Sequence, residues 1–186
     1  MTDIQGTCDP RFSAVRDTFA ANFSSGVDVG ATVAVYLDGE PVVDLWGGWS
    51  DRDQTVPWER DTIINVWSTT KTMTFVAALM LADQGVIGLD EPVARYWPEF
   101  AAGGKEGVLV RHVMGHTAGL SGWQEKMEPE DLYDWEKATS RLAAQEPWWT
   151  PGEGSGYHAI TQGYLLGEIV RRVTGQSFGT FFRTEI

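Results

Sequence analysis

The stretch WSTTKTMTFVAALMLADQG, residues 67–85, decides how the chain is organised, because strand-like patterns end before it and helical patterns follow it. Val76, Met80 and Leu81 lie on one stripe at helical spacing. Gly85 is well placed to end a helix in the left-handed conformation. We therefore expect a helix that begins near the start of this stretch and ends at its last residue.

Two strand-like runs lie upstream, at residues 31–37 and 41–46, and both are rich in β-branched and aromatic side chains. Asp38 and Gly39 between them tolerate the positive φ that a tight turn demands, so the runs predict a hairpin. An opening helix is expected over residues 9–22, from apolar side chains at helical spacing. A two-stranded ribbon is marginal in water and no strand-like run follows residue 66, which indicates that further strands are missing.

More helical patterns follow the first helix. They are expected at residues 90–96, at 110–114, around Leu132–Leu142, around Leu165–Val173 and from Ser177 onward. Glu168 and Arg172 form an i,i+4 pair, and Gly175 is placed to end the helix that carries them. The sequence thus predicts an α/β (α+β) fold, incomplete, with a helix and sheet hairpin in residues 1–66 and a mostly helical region in residues 67–186.

Composition and charge narrow the classes of function. Of 186 residues, 42% are hydrophobic and 22% charged, which is typical of a globular protein. The 26 acidic and 14 basic residues leave a net charge of −12, which disfavours binding to nucleic acid or to an anionic membrane. The longest apolar run, residues 75–82, is too short to span a membrane. Because the start of the chain lacks a signal-peptide pattern and Cys8 is its one cysteine, we expect a cytoplasmic protein.

Ser68 and Lys71 are the first candidate catalytic pair. They stand where the helix begins, and a spacing of three places them on one helix face. The field of the helix N-terminus favours an oxyanion at Ser68, and together with desolvation it would lower the pKa of Lys71, which could then take the Ser68 proton. The alternative is an ordinary capping serine beside a solvated lysine.

Tyr157 is the third candidate. It stands in Gly156-Tyr157-His158-Ala159, after a loop rich in Pro and Gly and just before an amphipathic helix. A tyrosine on such a loop can project into a cleft and relay protons. The alternative is a packed tyrosine whose hydroxyl group meets water.

Four ordered segments resemble the β-lactamase and penicillin-binding-protein superfamily of serine hydrolases, and most closely the class C β-lactamase-related esterases called family VIII carboxylesterases. They are NVWSTTKTMT (65–74), GLDEPVARYWPEF (88–100), VRHVMGHTAGL (110–120) and PWWTPGEGSGYHAITQGYLLGEIVRRVTGQSF (147–178). The resemblance implies a β-lactamase-like fold and an acyl-enzyme on Ser68. It also implies that Lys71 and Tyr157 serve as base and proton relay, and that the Ser68 backbone N–H is one half of an oxyanion hole. It implies no cofactor and no metal, and a small-molecule ester, β-lactam or amide as substrate.

The chain departs from this family in two places. β-Lactamases carry Tyr-x-Asn where this chain has Ala159, which favours esters over β-lactams and peptides. The family's third motif, Lys-Thr-Gly or a substitute, does not follow Tyr157, and the family's domain is about twice as long. We therefore expect the N-terminal half of one larger domain, 1–186. A β-lactamase, amidase or D-amino-acid peptidase remains an alternative, as does an inactive fragment that needs its C-terminal segment.

Two other motifs suggest chemistry but favour structural roles. Gly175-Gln176-Ser177-Phe178-Gly179 matches the nucleophile elbow of α/β-hydrolases, but a helix precedes it, so Ser177 is expected to cap a helix. His112 and His116 have the i,i+4 spacing of a zinc site on a helix, without a third ligand in evidence, and we expect His116 to bond nearby backbone. His158 could contact substrate, but packing or solvent explains it at least as well.

Overall fold

The computed structural model describes residues 3–186, so Met1 and Thr2, the first residues of the segment that lacks a signal-peptide pattern, lie outside the described residues. The chain divides into two compact units, with the boundary between Asn65 and Val66. The sequence-based boundary lies one residue further along the chain. Within the described residues, no helix is both long enough and apolar enough to cross a membrane.

The first unit contains a three-stranded antiparallel sheet. Its strands are β1 (Ile4–Cys8), β2 (Gly30–Leu37) and β3 (Glu40–Gly48), in the order β1-β3-β2. The predicted hairpin is confirmed, since β2 and β3 pair through a turn in which Asp38 and Gly39 have φ values of 51° and 84°. Val43 and Leu45 in the central strand are fully buried, because alternate residues of β3 face the core of this unit.

Strand β1 was not predicted, and it corrects the expectation of a two-stranded ribbon. Its register pairs Ile4 with Gly47 and Cys8 with Val43. The segment IQGTC lacks a clear apolar alternation, and glycine weakens a strand, so local propensity does not reveal it. Gly6 has φ +99°, and a Cβ there would lie 1.9 Å from the Asp44 carbonyl oxygen, so the close approach to β3 requires glycine.

The predicted opening helix is divided in two. The Asp9 side chain accepts a hydrogen bond from the Arg11 backbone N–H (2.9 Å) and begins a 3-10 turn, Pro10–Phe12. Helix α1 (Ser13–Ser24) follows, and its Phe19 belongs to the same buried cluster as Val43 and Leu45. Helix α1 therefore covers one face of the sheet.

The second unit is helical, as predicted. Its α-helices are α2 (Thr70–Asp83), α3 (Val110–Met114), α4 (Trp135–Ala144), α5 (Thr161–Thr174) and α6 (Phe178–Glu185). Its 3-10 segments are Trp67–Thr69, Val93–Arg95, Pro98–Gly104 and Pro129–Tyr133. Gly85 and Gly175 both adopt positive φ just after helices, at 71° and 70°, which confirms their predicted roles. The segment expected at 90–96 is a single 3-10 turn, and Leu132 lies outside α4 because Asp134 caps that helix.

Helix α5 is held by a buried ionic cluster. Glu168 is 1% exposed, and its carboxylate accepts hydrogen bonds from Arg171, Arg172 and Trp135, each at 2.7 Å. Burial opposes ionisation, but these hydrogen bonds outweigh it and lower the pKa of Glu168 to about 2. The predicted Glu168–Arg172 pair is thus confirmed. Since Trp135 begins α4, the cluster also fixes α5 against α4.

Lys105 is a buried cation with a structural role. Its side chain is fully buried, and its ammonium group donates to the carbonyl oxygens of Ala102, Ala143 (3.0 Å) and Gln145. Burial lowers the pKa of Lys105 to about 8. The lysine ties the 3-10 segment Pro98–Gly104 to the end of α4, where the loop to Tyr157 begins.

Candidate active site

Ser68 lies in a short 3-10 turn, Trp67–Thr69, that leads directly into α2. The residue before it, Trp67, adopts φ +47°, a left-handed conformation that is rare for a bulky side chain. Such strained positions cluster at functional sites. Ser68 itself is exposed, so its hydroxyl group is accessible to a substrate.

Lys71 lies one turn after Ser68, on the same face, as predicted. Its Nζ donates a hydrogen bond to Ser68 Oγ at 3.2 Å and another to the Ala159 carbonyl oxygen at 2.7 Å. The second bond crosses from α2 to a residue 88 positions later in the chain. Lys71 therefore links the start of α2 to the residues that follow Tyr157.

Tyr157 completes the cluster. Hydrogen bonds to the Ser68 and Lys71 side chains lower the pKa of Tyr157, and the charge of Lys71 acts in the same direction. Lys71 Nζ also lies 4.9 Å from the centre of the phenol ring. The tyrosine is 54% exposed, so a substrate can reach its hydroxyl group. The structure thus brings Ser68, Lys71 and Tyr157 together, as the sequence led us to expect.

The residues 145–160, here called the Tyr157 loop, run from α4 to α5 and are supported by residues 116–120, here called the supporting segment. The Gly156 backbone N–H donates to the His116 carbonyl oxygen at 3.1 Å, and that of Gly152 donates to the Thr117 carbonyl oxygen at 2.9 Å. At the end of the loop, Thr161 Oγ1 donates to the Leu120 carbonyl oxygen at 2.6 Å. In the sequence this segment stood out only through the family resemblance, and nothing there indicated its supporting role.

Two imidazole rings lie within this support. His116 Nδ1 accepts the backbone N–H of His158 at 3.0 Å, which confirms the expectation that His116 bonds nearby backbone. His158 is fully buried, its Nε2 accepts the Leu120 backbone N–H at 3.1 Å, and its Nδ1 lies 2.6 Å from the Gly156 carbonyl oxygen. Burial therefore settles the open question about His158 in favour of packing.

His112 and His116 do not share a helix face, which corrects the sequence-based placement. Helix α3 ends at Met114, and His116 follows in a left-handed conformation with φ +60°. His112 Nδ1 accepts the Leu109 backbone N–H at 3.2 Å at the start of that helix. Across residues 3–186, no group of three or more His, Cys, Asp or Glu side chains is arranged to hold a metal ion.

Ser177 caps α6, as predicted. Its Oγ accepts the Thr180 backbone N–H at 3.2 Å, and its own backbone is extended, as expected of a residue just before a helix. Helix α5 and Gly175 precede it, so the strand that a nucleophile elbow requires is replaced by a helix. This serine is chemically unlike Ser68, which has a lysine and a tyrosine beside it.

Trp149 belongs to the Tyr157 loop, and its ring packs against later residues of the same loop. Its ring meets His158 edge to face at 6.2 Å, and a Cβ on Gly156 would lie 2.5 Å from it. A Cβ on Gly154 would lie 2.8 Å from the same ring. Both glycines are thus needed for the loop to lie against the indole, a constraint that the sequence showed only as a run of turn residues.

An apolar cavity of about 350 Å³ lies on another side of α2. It is lined by Val66, Thr69, Thr70, Met73, Phe178, Gly179 and Phe182. Thr70 and Met73 lie on a different face of α2 from Lys71, because residues three apart share a face and adjacent residues do not. This cavity is therefore separate from the cluster of Ser68, Lys71 and Tyr157.

Comparisons with known proteins agree with this architecture. A family model described as Beta-lactamase matches residues 19–186. The chain is 46% identical over 183 residues to the esterase/beta-lactamase LipL of Mycobacterium tuberculosis, covering 98% of this chain and 42% of the relative. A crystal structure of a family VIII carboxylesterase matches with a TM-score of 0.89 and 49% identity, covering 99% of this chain and 50% of the other.

A second solved structure is described as a novel penicillin-binding protein homolog from Caulobacter crescentus. It matches with a TM-score of 0.92 and 44% identity, again covering 99% of this chain and 50% of the other. The chain thus spans about half the length of these relatives, in agreement with the half-domain expected from the sequence. The match of the family model to most of the chain, together with the shared fold, shows that the chain belongs to the beta-lactamase family.

Proposed function

We propose that this chain carries the nucleophilic half of a serine hydrolase that cleaves short-chain carboxylic esters through an acyl-enzyme on Ser68. One observation carries the proposal: Lys71 Nζ lies 3.2 Å from Ser68 Oγ and 4.9 Å from the centre of the Tyr157 ring, so that the lysine stands beside both side chains. A serine with two titratable partners in reach is the arrangement that nucleophilic catalysis requires.

In acylation, Tyr157 accepts the proton of Ser68 while Lys71 shares and stabilises the resulting charge. Ser68 Oγ forms a bond to the ester carbonyl carbon, and the carbonyl electrons move onto oxygen. The Ser68 backbone N–H lies in the 3-10 turn that leads into α2, where the helix dipole favours this oxyanion. When the intermediate collapses, the bond to the alcohol oxygen breaks and Tyr157 returns the proton to that oxygen.

Deacylation repeats these steps with water. Tyr157 takes a proton from a water molecule, and the hydroxide attacks the acyl carbon. The bond to Ser68 Oγ then breaks, and the proton passes to that oxygen to restore the serine. The lowered pKa of Tyr157 supports its role as the base in both steps, because a phenol with a pKa nearer neutrality ionises more readily at physiological pH.

Ala159 supports an ester as the substrate. Its backbone carbonyl holds Lys71, but its methyl side chain cannot donate a hydrogen bond to the amide carbonyl of a β-lactam or a peptide. The names of two relatives, a family VIII carboxylesterase and the esterase/beta-lactamase LipL, agree with ester hydrolysis. A β-lactamase or a related amidase is the second candidate, favoured by the other part of the LipL description and by the penicillin-binding protein homolog.

A comparison of two serines tests the nucleophile. In the full-length protein, Ser68→Ala should lower kcat for a p-nitrophenyl ester by at least about 10³-fold, because it removes the acylated oxygen. Mass spectrometry after treatment with a fluorophosphonate should place the adduct on Ser68. Ser177→Ala is the matched control and should retain both turnover and labelling. Wild-type rates in Ser68→Ala, or an adduct on Ser177, would refute the assignment.

A substrate panel tests the preference for esters. The full-length protein should have a higher kcat/KM for p-nitrophenyl butyrate than for a chromogenic cephalosporin. Ala159→Asn should shift the ratio towards the cephalosporin, because the new amide can donate to a substrate carbonyl. Faster cleavage of the cephalosporin by the wild-type protein would favour the second candidate.

The second oxyanion donor and the opposite wall of the site are proposed to come from a C-terminal segment beyond this chain. Residues 1–186 alone should therefore show weak or no turnover, although Ser68, Lys71 and Tyr157 already lie together. Robust turnover by the purified 186-residue chain would contradict this. The predicted cytoplasmic location and the small-molecule substrate belong to the same proposal.

A further inference from the structure

His116 and His158, here called the imidazole pair, lie directly behind Tyr157. The His116 ring is 4.8 Å from the Tyr157 ring and 5.4 Å from the His158 ring, measured between ring centres. His116 belongs to the supporting segment, and His158 follows Tyr157 in the chain. The imidazole pair therefore connects the supporting segment, residues 116–120, to Tyr157.

The hydrogen bonds determine the protonation of both rings. His116 Nδ1 accepts the His158 backbone N–H at 3.0 Å, so the proton of its neutral ring is on Nε2. That nitrogen lies 3.5 Å from the Gln162 side-chain amide, whose otherwise unpaired oxygen accepts the proton when the amide is turned over. His158 Nε2 accepts the Leu120 backbone N–H at 3.1 Å, so its proton is on Nδ1, which donates to the Gly156 carbonyl oxygen at 2.6 Å. The two imidazoles are thus neutral and in opposite tautomers.

Protonation would break this arrangement. An imidazolium has an N–H on both nitrogens and no acceptor. Each charged ring would therefore place its own N–H against the backbone N–H from which the neutral ring accepts a hydrogen bond. Those two backbone groups belong to His158, next to Tyr157, and to Leu120, at the end of the supporting segment. Because His158 is fully buried, water cannot replace the lost bond without opening the loop.

We infer that His116 and His158 are positioning residues that hold Tyr157 against Ser68 and Lys71 only while both imidazoles are neutral. This inference rests on the proposed function, because it assigns the pair a role in the same reaction. It adds an acid-sensitive support to a site whose three reacting groups are a serine, a lysine and a tyrosine.

The surroundings keep the pair neutral. The titratable groups that face it are Lys71 from α2, Tyr157 from the loop and each imidazole from the other, and the neutral neighbours are Trp149 and Gln162. Burial lowers the pKa of His116, and the nearby charge of Lys71 lowers it further. Burial also lowers the pKa of His158, against the opposing effect of its bond to Gly156. The pair is therefore neutral at physiological pH and becomes charged in acid.

Two substitutions of His116 separate the hydrogen bond from the size of the side chain. His116→Asn places a carbonyl oxygen near the position of Nδ1, tolerates the left-handed backbone at φ +60°, and cannot be protonated. His116→Phe keeps a ring but removes the acceptor. His112→Phe is the matched control. His112 also accepts one backbone N–H, but its donor is Leu109 at the start of α3 and not a residue of the Tyr157 loop.

Steady-state kinetics of the full-length protein on a p-nitrophenyl ester provide the first test. His116→Phe should lower kcat by about 10- to 100-fold with KM changed by less than about threefold, because Tyr157 is misplaced for the chemical step. The kcat of His116→Asn should stay within about fivefold of wild type, and that of His112→Phe should match wild type.

The pH dependence of kcat is a further readout. As pH falls below about 6.5, the ordinary pKa of an imidazole, kcat should fall less steeply in His116→Asn than in wild type. Wild-type kcat in His116→Phe, or the same acid limb in His116→Asn and wild type, would overturn the inference.

Imidazole ¹⁵N NMR provides a second test that does not depend on activity. The spectra should show the proton on Nε2 of His116 and on Nδ1 of His158 at pH 7.5, and the opposite tautomers would overturn the inference.

The proposed serine hydrolase function and the inference about the imidazole pair can fail separately. If Ser68 is labelled by the fluorophosphonate but His116→Phe has wild-type kcat, the inference fails and the serine hydrolase stands. If the serine is not labelled, the proposed function fails, and the NMR result still shows whether the hydrogen bonds of the pair exist.

Discussion

The start of α2 and the Tyr157 loop contribute to one site but are built in different ways. At the start of α2, Ser68 and Lys71 are three residues apart, and local helical geometry brings their side chains within 3.2 Å. The Tyr157 loop has no such local rule, and its position depends on hydrogen bonds to residues 116–120 and on the packing of its glycines against its own Trp149. The first region is therefore encoded by spacing, whereas the second is encoded by contacts between distant parts of the chain.

The largest expected effect comes from removing the reacting group that the loop presents. Tyr157→Phe in the full-length protein should lower kcat by about 10³-fold, because the ring stays in place but the proton relay is lost. The thermal midpoint should change little, since the side chain is half exposed. Stopped-flow and melting measurements on the same preparation check both points, and near-normal turnover would exclude Tyr157 from the chemistry.

Displacing the loop without touching a reacting group should have the next largest effect. Gly156→Ala would place a Cβ 2.5 Å from the Trp149 ring, so the loop or the indole must move. We expect a loss of about 1–3 kcal/mol in the free energy of unfolding, together with reduced kcat. Urea denaturation measures the first quantity.

Gly163→Ala is the control for that change, and we expect it to have the smaller effect of the two glycine substitutions. Gly163 lies early in α5, and nothing lies within 4 Å of a Cβ placed there. Alanine should therefore leave kcat unchanged and raise the free energy of unfolding by at most about 1 kcal/mol, because alanine is the better helix former. If both glycine variants behaved alike, the close packing on Trp149 would not explain the glycine at 156.

Acid should weaken the loop before it weakens α5. The pKa values of His116 and His158 are lowered in the folded chain, so unfolded chains bind more protons and stability falls as pH drops from about 6.5 through the folded values. The pKa of Glu168 is about 2, so its contribution is present above its ordinary value and is lost only as pH falls from about 4.5 towards 2.

Urea denaturation across pH checks this order. Between pH 7.5 and pH 5, His116→Asn should lose less stability than wild type, because it retains an acceptor that does not titrate. Glu168→Gln should be less stable than wild type at pH 7.5 and should approach wild type near pH 2. A stability profile that was flat down to pH 5 in the wild-type protein would show that the imidazole pair contributes nothing to the fold.

Much of the helical unit could be predicted from the sequence, because its signals are local. The glycines after α2 and α5 and the Glu168–Arg172 pair act over one or two turns, and each is present as expected. The stripe predicted in α2 is only partly right, because the buried face is formed by Thr74, Ala77, Ala78 and Leu81, whereas Val76 and Met80 are half-buried. The turn at Asp38-Gly39 is equally local, since both residues accept positive φ. Strand β1 was missed because its sequence has no strand pattern of its own, and its hydrogen bonds come from β3, about 40 residues later.

The sequence by itself determined which residues could react: a serine and a lysine one helical turn apart, and a tyrosine on a loop before α5. Tertiary structure alone decided that these groups meet, because the bond from Lys71 to the Ala159 carbonyl oxygen joins positions 88 residues apart. It also decided the roles of His116 and His158, which depend on which backbone N–H each ring accepts. Local spacing predicts what a helix presents on one face, whereas the partner of a buried polar group depends on the packing of the whole unit.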